Sequence, residues 1–128
     1  MAAFARAFAK TLKGGEVIGL IGDLGVGKTT FTQALGKALG VRERMTSPTF
    51  VYLHEHHLKR GKIRTFIHAD AYRIDAAGLR GTGIEEHFNE PKTVVIIEWA
   101  DRVTRLLPKT TISIRFKHVG GDRRSVSL

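Results

Sequence analysis

Cysteine is absent from this chain, and acidic residues are scarce: 12 Asp and Glu stand against 21 Lys and Arg. Without cysteine there is no disulfide framework and no thiolate chemistry. That composition suits a reducing compartment, and the expectation is a cytoplasmic protein. Long apolar runs are missing too. The opening "MAAFARAFAK" is broken by Arg6 and Lys10 before it reaches the length of a signal sequence or a membrane span, so no membrane association is expected. Internal repeats, low-complexity tracts and linkers are also lacking. What is present is a globular composition, 42% hydrophobic over 128 residues, which predicts one domain over 1–128. The net charge of +9 favours nucleic acid or an acidic partner. A basic surface with no special partner is the plain alternative.

Hydrophobic spacing divides the chain. Phe4, Phe8 and Leu12 recur at helical intervals, predicting a helix through about Thr11 that ends at Gly14 and Gly15. Glu16 to Ile21 reads as a buried strand and Thr29 to Leu39 as a helix closed by Gly40. Phe50 to Leu58 and Lys62 to His68 read as a hairpin turned around Gly61. The stretch "DAYRIDAAGLRGTGIEEHF" reads as short helical turns. Thr93 to Ile97 is the most apolar strand. Thr111 to Phe116 and Arg124 to Leu128 read as closing strands. Continuously apolar strands predict a sheet covered on both faces.

"GLIGDLGVGKTT", Gly19 to Thr30, holds four glycines, one lysine and two threonines between a predicted strand and a predicted helix. Gly22 to Thr29 matches the phosphate-loop pattern G-x-x-x-x-G-K-[ST] in its required context. The backbone of Asp23, Leu24, Gly25, Val26 and Gly27 is suited to aim N–H groups at one anion. Thr29 and Thr30 open the helix, whose first turn carries partial positive charge. Lys28 adds a full charge for the β- and γ-phosphates, and the Thr29 hydroxyl faces the bridging magnesium. The plain alternative is a glycine-rich turn.

A phosphate loop calls for an acid at the end of a neighbouring strand. Glu98 lies just beyond "VVII" and Asp70 just beyond "FIHA". Spacing does not say which holds the metal and which orients water. Thr46, Ser47 and Thr49 flank Pro48 in a loop where a switch threonine would sense the γ-phosphate, or where ordinary turn chemistry would place them. "NEPK" is not the run that reads guanine, so adenine is the default base. Trp99 lies near the nucleotide or is a core aromatic. Arg73 is a candidate for phosphate charge, or a solvated or salt-bridged arginine. His54, His56 and His57, with His68 on the next strand, form a rival metal site, weakened by the adjacent Lys59, Arg60 and Lys62.

"GDLGVGKTT", "SPTF", "HADAYR" and "IIEWAD", in that order, resemble the bacterial TsaE family, the small ATPase of threonylcarbamoyladenosine biosynthesis on tRNA. The likeness spans roughly Phe4 to Leu128. It implies a phosphate-loop α/β sandwich, with a mostly parallel sheet closed by antiparallel strands. It implies ATP and Mg2+ as cofactors, Lys28 as the phosphate lysine, and Thr29 and Glu98 as magnesium ligands. Thr49 falls in a first switch-like loop. Asp70 falls in a second and looks catalytic. Asp101 and one of Arg123 and Arg124 fall where the family contacts the nucleotide. The family's short strand and threonine before the first helix have no counterpart here, which leaves one base contact unmatched. The implied partners are the TsaD modification enzyme and its TsaB companion, with tRNA reached through their complex. A small-molecule kinase and a nucleotide-binding module without turnover are the competing classes.

Overall fold

The structure, a computed structural model, describes residues 2–22, 27–43, 53–118 and 124–127. Asp23, Leu24, Gly25 and Val26 of the phosphate loop, the Thr46 to Thr49 loop and Arg123 lie outside the described residues.

Helix α1 (Ala2–Ala9) buries Ala5 and Phe8, the stripe its spacing predicts. It packs on α2 (Lys28–Leu39) through aromatic rings: Phe4 and Phe8 meet Phe31 at centroid distances of 5.5 and 6.0 Å. Phe31 in turn meets Phe116 at 5.6 Å. Helix α1 ends two residues before Thr11, because the Thr11 and Leu12 N–H groups donate three residues back, to Phe8 O and Ala9 O at 2.9 and 3.2 Å. Beyond them the Glu16 carboxylate accepts from the Lys13 and Gly14 N–H groups at 2.7 and 2.8 Å. Glu16 directly precedes β1 (Val17–Ile21), and its carbonyl accepts from Val95 N–H at 3.0 Å.

The strands are β1, β2 (Leu53–His57), β3 (Thr65–Asp70), β4 (Thr93–Glu98), β5 (Ile112–His118) and β6 (Arg124–Ser127). They form one sheet in the order β2-β3-β4-β1-β5-β6. The four central strands are parallel, and β2 and β6 close the two edges antiparallel. This is the predicted α/β sandwich. All six residues of β4 are buried. One face of the sheet packs Ile18, Leu20, Phe66 and Ile96 under α1 and α2. The other packs Val17, Ile67, Val95 and Ile97 under the short helix α3 (Ala76–Arg80) and the 3-10 turns Ile84–His87, Ala100–Arg102 and Thr104–Leu106.

Strand ends differ from the sequence expectation where pairing decides them. β3 starts at Thr65 and not Lys62, since Leu58 N–H donates to Arg64 O at 2.8 Å and keeps the intervening residues in the turn. β3 and β4 then run in register from Thr65 opposite Thr93 to Asp70 opposite Glu98. The two acids are therefore the last residues of their strands rather than the first residues beyond them. Among the described residues no helix is long and apolar enough to cross a membrane.

Candidate functional site

The site lies where β1, β3 and β4 end and α2 begins. Gly27 caps α2 with φ 99°, a left-handed conformation that favours glycine, and no side chain caps the helix there. The first turn of α2 carries no acid of its own, so the partial positive charge of the helix N-terminus is directed at the site. Lys28 is the first helical residue. It is 4% exposed, donates from Nζ to Gly22 O, and sits 3.9 Å above the centroid of the Trp99 ring.

Trp99 directly follows β4 and adopts φ 60°, ψ 39°, an uncommon conformation for a non-glycine residue. Such a conformation costs on the order of 1–3 kcal/mol and persists only where its surroundings hold it. Here Lys28 covers the ring and Tyr72 packs against it, tilted by 44° with centroids 4.9 Å apart. Gly19 on β1 makes room for the turn that follows: a Cβ there would stand 2.8 Å from the Cβ of Ala100.

Glu98 is 2% exposed and uses both carboxylate oxygens. Thr29 Oγ1 donates to Oε1 at 2.9 Å, and His68 Nε2 donates to Oε2 at 2.6 Å. A hydroxyl and a carboxylate thus converge beside a buried ammonium group. That is an all-oxygen donor pair of the kind that suits magnesium. Asp70, opposite Glu98 in the register, accepts from Tyr72 N–H at 2.9 Å. Burial is the main influence that raises the Asp70 carboxyl above its ordinary pKa. The Tyr72 amide opposes this, and the nearby Glu98 charge adds to it.

The structure brings together Lys28 and Thr29, Asp70, and Glu98 and Trp99 from three separate places in the chain. Thr30 is exposed on the first turn of α2, and Asp101 is exposed in the turn after Trp99. β6 puts Arg124 at the same end of the sheet, since it pairs with His118 at the end of β5. Arg73 is exposed, 5.9 Å from the Tyr72 ring, and has no ion pair among the described residues.

The histidines part company. His68 is fully buried on Glu98, and its Nδ1 has no partner among the described residues. His54 lies opposite His68, while His56 Nδ1 donates to Glu43 Oε1 at 2.5 Å. No group of three or more His, Cys, Asp or Glu is placed to hold a metal among the described residues. Sequence reading singled out His68 only for that rival site and missed it as the partner of Glu98. The available signal was its i, i+2 relation to Asp70, which puts both on one face of a strand.

The model of the family "Threonylcarbamoyl adenosine biosynthesis protein TsaE" matches residues 1–126. The chain belongs to the TsaE family. TsaE proteins serve tRNA threonylcarbamoyladenosine biosynthesis, the function carried by the name of each curated relative compared. The Bacillus subtilis protein is 34% identical over 126 residues, covering 98% of this chain and 77% of its own length. The Streptomyces coelicolor protein is 34% identical, covering 91% of this chain and 78% of its own length. The Aquifex aeolicus protein is 41% identical, covering 77% and 68%. The crystal structure of Bacillus subtilis YdiB superposes with a TM-score of 0.78 at 32% identity, covering 98% of this chain and 74% of that one.

The environment of Asp70 has a measurable consequence. Its folded-state pKa is raised above the unfolded value, so between the two the folded chain holds more protons and stability falls as pH rises. At neutral pH the charged carboxylate therefore weighs against the fold. Asp70→Asn should raise the melting temperature at pH 7, on the order of 2 °C, and the gain should vanish below the ordinary carboxyl range. Thermal melts from pH 3 to pH 7 check this. A several-degree loss at pH 7 would contradict it.

Proposed function

We propose that this chain is a magnesium-dependent ATPase of tRNA threonylcarbamoyladenosine biosynthesis, slow alone and accelerated by the TsaD–TsaB complex. The observation that carries the reading is the convergence of Thr29 and Glu98, 2.9 Å apart, beside the buried Lys28 at the start of α2. The amides of the uncapped first turn receive the phosphates of ATP, and Lys28 leaves the Gly22 carbonyl to meet the β- and γ-oxygens. Thr29 and Glu98 hold Mg2+, which when bound neutralises phosphate charge. His68 keeps the Glu98 carboxylate aimed. Asp70 orients the attacking water. Trp99 closes the site over Lys28, and the family resemblance assigns Asp101 and one of Arg123 and Arg124 to nucleotide contact.

Slow turnover alone follows from the cations. A transition-state arginine is worth about 10³–10⁵ in rate, and Arg73 is exposed rather than fixed on the phosphate site. A partner that places an arginine on the phosphate site, or fixes Arg73 there, would supply such a charge. The test is phosphate release by the purified chain alone, with TsaD and TsaB, and with tRNA, with and without Mg2+. Turnover that needs Mg2+ and rises severalfold with the proteins is expected. Fast turnover indifferent to every addition would overturn partner gating. ATP binding without phosphate release under any condition would leave a binding module.

A further inference from the structure

The end of the sheet opposite this site is cationic and concave. α2 runs from Lys28 beside the nucleotide end to Leu39, about 18 Å along its axis. There α1, the last turn of α2 and the β2–β3 turn surround two adjoining hollows of about 440 and 280 Å3, which share Leu39 and Arg60. Arg6, Lys10 and Lys62 line the first, Arg42 and Lys59 the second, and Arg60 both. All six are exposed, and none is ion-paired among the described residues. Among those residues the one acid lining either hollow is Glu43, already held by His56. The neighbouring Glu55 lies 3.3 Å from His57. Six uncompensated cations on one concave surface repel one another, an arrangement that an anionic partner relieves.

The chemistry of the surface selects among anionic partners. Its apolar floor is aliphatic, made by Leu12, Leu39 and Ile63. The exposed large hydrophobic side chain among the described residues is Tyr72, at the nucleotide end and 38% exposed. A protein partner is normally anchored by aromatic or arginine hot spots seated in pockets, and single-stranded nucleic acid by aromatic stacking platforms. No Phe, Tyr or Trp lines these hollows, and their three arginines, Arg6, Arg42 and Arg60, are exposed rather than seated as buried anchors. A phosphate backbone needs only cations spread over a shallow surface.

We propose that this groove binds the phosphate backbone of double-helical RNA, without reading its sequence. The groove is read from its own residues, whereas the choice of RNA, with a tRNA stem as the natural instance, rests on the function proposed above. The surface lies a helix length from Lys28 and Glu98, so RNA and ATP binding are separable by mutation.

Fluorescence anisotropy with a labelled tRNA transcript and with an RNA duplex of unrelated sequence tests this on the whole chain, between about 50 and 200 mM salt. Both RNAs should bind alike. Arg60→Ala with Lys62→Ala should weaken both about tenfold and lower the slope of log K against log salt by about 2. Arg105→Ala with Lys109→Ala is the charge-matched control: Arg105 lies on a turn covering the other face of the sheet. It should change affinity less than about twofold. All four side chains are exposed, so both variants should fold. No binding of either RNA at low salt would overturn the proposal. So would equal losses in the two double variants, or an Arg60/Lys62 variant that keeps RNA affinity but loses TsaD–TsaB. ATP binding, followed at Trp99, keeps the two readings apart. RNA binding through the groove in a chain that binds no ATP would overturn the proposed ATPase and leave the groove standing.

Discussion

Lys28→Ala should reduce ATP turnover to background and weaken ATP binding by about tenfold to a hundredfold, while the protein stays folded. The lysine contributes little to the core. It lies at the edge of α2, between the Gly22 carbonyl and the Trp99 ring, and its alkyl stem, not its charge, fills space. Removing it leaves one carbonyl without that donor and one ring without a cation, together about 1–3 kcal/mol. Against ATP the loss is larger in consequence, because the departing charge faces developing negative charge on the phosphates. The chain has a single tryptophan, and it is the ring on which Lys28 rests. Its fluorescence therefore reports the site directly. Titration with ATP should change Trp99 emission in the parent chain and do so only at much higher concentration in the variant. Unchanged affinity and unchanged phosphate release would remove Lys28 from the phosphate site.

Glu98 should divide sharply between two substitutions. Glu98→Gln keeps the volume: its one oxygen accepts from His68 and its amide N–H donates to the Thr29 hydroxyl, so the fold should hold. It removes the charge that a magnesium ion needs, so Mg2+ should no longer strengthen ATP binding, and turnover should fall by at least about a hundredfold. Glu98→Ala adds a structural loss. His68 is fully buried with Nδ1 already unpartnered among the described residues, and this variant leaves Nε2 unpartnered too. An orphaned buried polar group and a void together cost about 2–4 kcal/mol. Chemical denaturation of both variants, with ATP titrations at several Mg2+ concentrations, measures the two effects separately. A Glu98→Gln protein with its metal dependence intact would move the metal to another acid, with Asp70 the nearest alternative. His68→Ala extends the test. Glu98 would keep its charge but lose the group that aims it, so the apparent affinity for Mg2+ should weaken more than ATP binding measured without metal.

The sequence alone determined the phosphate-loop pattern, the helix that follows it and the buried strand before it, because those signals are local. A glycine pattern, one lysine and a threonine sit in adjacent positions, and strand and helix periodicity frame them. The sheet class was legible for the same reason: "TVVII" is apolar at every position, which only a doubly covered strand permits. The resemblance carried by four short motifs was enough to anticipate the TsaE family.

Tertiary structure decided how those motifs meet. Thr29 and Glu98 lie 69 positions apart and touch only because β1 and β4 pair in parallel, Leu20 opposite Glu98. Asp70 and Glu98 became neighbours through the β3–β4 register, which also carried both acids into the ends of their strands. His68 read as one of a group of histidines. The fold turned it onto Glu98 and gave His56 to Glu43, while antiparallel pairing with β2 set His54 opposite it. The cationic groove was invisible to charge counting. Arg6, Arg42 and Arg60 are far apart in the chain, and only the packing of α1 on α2, with the β2–β3 turn beside them, gathers that charge onto one surface. Local pattern names the elements, but long-range pairing chooses which side chains face each other, and the chemistry of this protein depends on the second.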